Sequence, residues 1–150
     1  MKEDLRKLFL RDLGKLEKEI NAYHHESSLW LIDQEILNSA GNLCKHLTGN
    51  LKHFIGHILG KTGYIRDREA EFSKPHLSKA ALNFEIASTK EAINLTFDQL
   101  NATKMQLKYP IEVLGHEMTV QYFLFHLLSH LNYHLGQINY HRRLLDKASS

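Results

Sequence analysis

The stretch VQYFLFHLLSHLNYHLGQINYHRRLLDK, Val120 to Lys147, decides how the rest of the chain is read. It holds no proline and a single glycine. Val120, Phe123, Leu124, Leu127, His130, Leu131, His134, Ile138, His141 and Leu145 recur at three- and four-residue spacing. That is the pattern of one long amphipathic helix. Thr119 stands where a cap would bond the first free N–H groups, and Arg142, Arg143 and Lys147 suit the negative end of the helix dipole. Three of the inward residues are histidines, a polar type on a face meant for a core.

Three more helical segments lie upstream. MQLKYPIEVLGHE, just before the long helix, reads as extended or irregular around Pro110. The third helix is predicted at about Lys79 to Thr103, capped by Ser78, with Leu82, Ile86, Thr89, Ile93, Phe97 and Leu100 inward. KTGYIRDREAEFSKPH before it reads as a loop. The second helix is predicted at about Gly41 to Gly60, with Leu43, His46, Leu47, Asn50, His53, Phe54, His57 and Ile58 inward. Gly60 suits a C-terminal cap, and Gly49 and Gly56, seven apart, share a face that would let a neighbouring helix come close. The first helix is predicted at about Glu3 to Ala22, with Leu5, Leu8, Phe9, Leu16 and Ile20 inward and Asp12, Lys15 and Lys18 off that stripe. Between the first and second helices, HHESSLWLIDQEILNS reads as a loop with a short helical turn, Trp30 packing on the core.

Composition agrees. The chain has 150 residues, the size of one domain, and is expected to be one over residues 1–150. Leu outnumbers Val 25 to 2 and there are only 2 prolines, which favours helix over sheet. Four amphipathic helices predict an all-α fold, a four-helix bundle. The connections after the first two helices are long enough for one to be a crossover. With 43% apolar residues the chain can fill a core, and a net charge of +2 is too small for a nucleic-acid footprint. No apolar run reaches a membrane span. MKEDLRKLFLRD lacks the apolar region of a signal peptide. One cysteine, Cys44, cannot form an internal disulfide, so a cytoplasmic setting is expected.

Eleven histidines are the abnormal feature. An isolated inward His is ordinarily a hydrogen-bonded core residue. Rows of them on two facing helices are different, because unpaired buried imidazoles each cost free energy and a metal relieves several at once. At about 100° per residue, His53 lies about 20° to one side of His46 and His57 about 20° to the other. On the long helix His126, His130 and His134 step by four. Neighbours in such a row stand about 6 Å apart and can share an ion, whereas His126 and His134, about 12 Å apart, cannot. His130 belongs to both workable pairs. Its partner is His126 or His134, and the third ligand is His46, His53 or His57. Periodicity does not choose among them. Cys44 points about 200° from His46 and is rejected as a ligand.

SHLNYHLGQINYHRRLL, Ser129 to Leu145, together with NLCKHLTGNLKHFIGH, Asn42 to His57, resembles the DinB-like superfamily of bacterial four-helix metalloproteins. The matching residues are His46 followed by Leu47, and His130 and His134 ahead of Gly136-Gln137-Ile138. The resemblance implies His46, His130 and His134 as ligands of a divalent metal, commonly zinc or nickel, with positions left open for water. It implies binding of a low-molecular-weight thiol as thiolate and thiol S-transfer or thiol-dependent isomerisation, and it implies a homodimer. A metal-binding or interaction protein without catalysis is the competing expectation. Two positions depart from the family: Leu135 stands where many members carry Arg, and Gly49 where an Asp is common. Asn50, His53 and Gln137 lie where they could contact substrate or orient ligands. Tyr133 and Tyr140 are expected to pack, and His24, His25, His76 and His116 to lie on the surface.

Other motifs fail. His116-Glu117 lacks the second His of a zinc-protease helix. Asn94-Leu95-Thr96 and Asn101-Ala102-Thr103 match the glycosylation pattern but fall in a predicted helix of a cytoplasmic chain. There is no Gly-rich phosphate loop.

Overall fold

Caps fix where the long helices begin. Ser39, Ser78 and Thr119 each sit in extended backbone, and each side-chain oxygen accepts from the N–H three residues on, in Asn42, Ala81 and Tyr122. The computed structural model describes residues 1–73 and 75–147. Lys74, within the loop expected after the second helix, lies outside the described residues. The fold is all-α. Helix α1 spans Lys2–Ala22, α2 Ala40–Leu51, α3 Arg68–Glu71, α4 Lys79–Gln99, α5 Ala102–Met105 and α6 Val120–Leu145. A 3₁₀ turn at Glu26–Trp30 follows α1, and α2 runs on as a π-helix through Lys52–Leu59. No helix among the described residues is long and apolar enough to cross a membrane.

Cross-links between the rods give their directions. Arg6 pairs with Asp98 and Lys90 with Glu17, so α1 and α4 run oppositely. Asn132 bonds Asp12 and Asn139 bonds Glu19, so α6 runs parallel to α1. Lys52 pairs with Glu85, and Thr96 Oγ1 reaches the Ile55 carbonyl, so the second rod runs parallel to α4. His46 meets His130 while Phe54 meets Phe123, so it runs opposite to α6. Around the bundle the order is α1, α4, α2, α6. The link from α2 to α4 joins parallel neighbours and must travel back along the bundle. This is the crossover.

The core draws on every rod: Leu5, Phe9, Leu16 and Ile20 from α1, Leu43, Leu47 and Ile55 from the second rod, Ile86, Ile93 and Phe97 from α4, and Leu124, Leu131 and Ile138 from α6. Truncating any one to Ala would cost about 2–5 kcal/mol.

Three expectations are corrected. The second rod is not α-helical to its end: Gly60 N–H bonds the Ile55 carbonyl five residues back. The Tyr109 hydroxyl donates to the Phe54 carbonyl at 2.7 Å, and Thr96 takes the Ile55 carbonyl. Side chains inserted into the ladder widen its turns. The third helix stops at Gln99, short of Thr103, because the Asn101 side chain accepts from Lys104 N–H and starts α5. Asp12, placed off the inward stripe of α1, is fully buried; Arg11 and Asn132 donate to its carboxylate at 2.8 and 2.7 Å.

Candidate metal centre

The antiparallel pairing of α2 and α6 sets His46 against two histidines one turn apart. His46 Nε2 lies 3.2 Å from His130 Nε2, and His134 Nε2 lies 3.2 Å from the same atom. All three nitrogens fall within 4.8 Å of one another. Zinc–imidazole bonds of about 2.0–2.1 Å at a tetrahedral ion would place neighbouring nitrogens about 3.3 Å apart, so the group can hold a metal ion.

Tautomers sharpen this. His46 Nδ1 faces the Glu71 carboxylate at 3.0 Å, and His134 Nδ1 faces Gln137 Oε1 at 2.7 Å. Both partners are acceptors, so each Nδ1 carries the proton and each ring turns its Nε2, the atom left to ligate, toward His130. His130 Nε2 can donate to only one of them. Its own Nδ1 is buried without a partner among the described residues. Burial, then the neighbouring His134 and His46, push His130 down to about 4. Burial also lowers His134. Neutral, convergent lone pairs are what a cation needs.

Glu71 is the functional residue that sequence reasoning missed. It lies on α3, inside the crossover, which read as a plain loop. Asp67 caps this single turn by accepting from Ala70 N–H at 3.1 Å. Arg66 grips the Glu71 carboxylate with a fork, Nε to Oε2 at 2.8 Å and Nη2 to Oε1 at 2.9 Å. Burial alone would raise this carboxyl; the bonds from His46 and Arg66 outweigh it and hold it below the usual range. Gly49 makes room: a Cβ there would stand 2.1 Å from Glu71 Oε2. So the close approach at Gly49 is by a carboxylate, while Gly56 faces Ala92 of α4.

The profile of a family described as a protein of unknown function, DUF1572, matches residues 3–149. The chain belongs to DUF1572. No curated protein matches it.

In this DUF1572 member the other candidate residues separate into groups. Gln137 holds His134, as described. Asn50 is buried one turn beyond His46, with Oδ1 unpartnered among the described residues. His53 and His57 do not join the cluster. The widened turns after Leu51 void the angular register that aligned them with His46; His53 packs against Phe54 at 4.7 Å and stacks on His57 at 6.0 Å. His126 stacks on Phe123 and borders a cavity of about 430 Å³ shared with His46, His130, Asn50, Arg66 and Arg68. Cys44 is fully buried in the core, its thiol pushed up to about 12. His24, His25, His76 and His116 are exposed. Tyr133 and Tyr140 do not pack inward: both are more than 60% exposed.

Proposed function

We propose that this chain binds one divalent ion, zinc or nickel, on His46, His130 and His134, and that it is a thiol S-transferase of the cytoplasm acting on a low-molecular-weight thiol. The observation that carries the metal reading is the pair of imidazoles locked by Glu71 and Gln137 with both Nε2 lone pairs aimed at His130. The thiol reading is supported by the likeness of His46, His130 and His134 with Gly136-Gln137-Ile138 to the DinB-like superfamily, to which DUF1572 is related. It is also supported by the cavity that opens on His46 and His130.

A divalent ion held by His46, His130 and His134 would lower the pKa of a thiol bound beside them. The chain's own residues do the rest. Glu71 and Gln137 fix the two rings in the ligating tautomer, and Arg66 fixes Glu71. Phe54, Val113, Phe123 and Leu127 supply the apolar part of the cavity lining. The reaction forms one carbon–sulfur bond; the leaving group departs with its electron pair, and the thiol proton passes to solvent. Elemental analysis of chain purified without chelator tests the site. About one ion per chain is expected, and none in His130→Ala, whereas a full complement in that variant refutes the ligand set. A non-catalytic metal protein is favoured by Leu135, which is buried where many members of the resembled superfamily carry Arg. Turnover of an alkyl halide with the loaded chain decides between the two.

The same reading includes a homodimer, and the outer face of α6 supports it. Tyr122, Phe125, Tyr133, Tyr140 and Leu144 are between 44% and 66% exposed. With Ser129 and Gly136 they span an arc of about 100°. About half of five such side chains amounts to roughly 400–500 Å² per protomer, and two protomers approach the ~1,000 Å² a specific interface needs. An antiparallel pair centred on Tyr133 sets Tyr122 near Leu144, Phe125 near Tyr140 and Ser129 near Gly136, so the stripe complements itself.

A further inference from the structure

The cavity beside the three imidazoles lacks negative charge. Glu71 is the carboxylate at His46, and the Arg66 fork already matches it. No Asp or Glu borders the cavity among the described residues. Arg68 lies at its wall, exposed and with no ion-pair partner among the described residues. Ligating imidazoles are neutral, so a dication held there would add charge that no cavity residue cancels. Uncompensated charge away from bulk water is costly. The lining also includes Asn50, a side chain only 7% exposed whose Oδ1 is a buried acceptor without a partner among the described residues. A buried acceptor of this kind calls for a donor.

We propose that this cavity takes a small ligand with two anionic groups and a hydrogen-bond donor: one group is the thiolate, the second a carboxylate held by Arg68, and the donor meets Asn50. The substrate thiol is therefore a carboxylate-bearing one. This rests on the three-His metal reading and names the ligand class for that site. Arg68 binds and selects; Arg66 stays committed to Glu71.

The test uses the full chain loaded with cobalt(II), titrated with 3-mercaptopropionate and with its neutral analogue 3-mercaptopropionamide. The sulfur-to-cobalt charge-transfer band reports binding. The acid is expected to bind about tenfold tighter than the amide, the scale of one charge-assisted hydrogen bond. Arg68→Gln is expected to bring the two to parity with the cobalt spectrum unchanged. Equal binding in the unmodified chain, or a preference that survives Arg68→Gln, overturns the proposal. If cobalt binds but neither thiol gives the band, the thiolate reading fails. Succinate against succinamide, followed by the cobalt d–d bands, then decides the carboxylate site: a tenfold preference lost in Arg68→Gln upholds it, and parity overturns it. If no cobalt binds, the metal reading fails and takes this proposal with it.

Discussion

Gly49 and Glu71 share one volume. A Cβ on Gly49 would stand 2.1 Å from Glu71 Oε2 and 2.8 Å from its carboxyl carbon. The absence of one side chain on α2 thereby admits the carboxylate that orients His46, a ring one turn earlier on the same helix. Gly49→Ala is expected to weaken zinc binding about 10–100-fold, the usual loss when a ligand's outer partner is displaced. Ala is worth about 1 kcal/mol over Gly in a helix interior, so retained affinity with a higher melting temperature would show that the glycine serves only the backbone. Chelator competition with thermal melts of both forms reads the two effects.

Glu71→Gln keeps the volume and removes the charge. Zinc affinity is expected to fall within the same 10–100-fold range while the bundle stays folded, since Arg66 and His46 can still meet the amide oxygen. Unchanged affinity by chelator competition would show that Glu71 serves the crossover alone.

The legible part of this fold was whatever a single segment carries by itself. The inward stripe of α6 and its Thr119 cap follow from local spacing, and so do the stripe and Ser78 cap of α4. The π-helix after Leu51 does not, because the hydroxyls that set it belong to Tyr109 and Thr96, far along the chain. Asp12 read as a solvent residue because its partner Asn132 arrives from α6. The histidines were legible as a row, and the resemblance selected His46, His130 and His134 from it. Glu71 was not legible; the glycine three residues after His46, ahead of a crossover that carries Asp67, Glu69 and Glu71, was the available signal. Tyr133 and Tyr140 misled because aromatics at helical spacing read alike on a buried face and on an exposed one.

His141 ties α6 to the loop after α1. The Tyr23 hydroxyl donates to its Nδ1 at 2.6 Å, and its Nε2 donates to the Leu31 carbonyl at 2.8 Å. Burial lowers its pKa below the ordinary value of about 6.5. The native state therefore binds fewer protons than the unfolded chain in this window. Its contribution to stability is complete above about pH 6.5 and is lost as pH falls through the lower folded value. His141→Gln is expected to flatten the acid limb of urea-derived stability below about pH 6.5, by no more than about 1.4 kcal/mol per pH unit. An acid limb identical to the unmodified chain would exclude this assignment.

Removing Asn132 leaves the buried Asp12 with one fewer donor. Asn132→Ala is expected to cost about 1–3 kcal/mol in urea melts with no change in bound metal, since the Asn132 side chain faces α1 and not α2. A loss below about 0.5 kcal/mol would mean that Arg11 alone suffices.

If α6 joins two chains, Tyr133→Glu places like charges at the centre of the pair. Light scattering at micromolar concentration is expected to show a dimer for the unmodified chain and a monomer for the variant, with metal content unchanged. A monomer in both cases removes the proposed interface.

The residues of the site meet on very different schedules of chain closure. His46 and Glu71 are 25 positions apart, but His46 and His130 are separated by 84. Closing the longer loop costs more entropy and needs α6 docked against α2. The carboxylate–imidazole half can thus assemble within the first half of the chain, while the ion-binding face exists only after the last rod is seated. Metal capture would therefore report completed folding of the bundle, and loss of the ion on heating would mark the parting of α6 from α2.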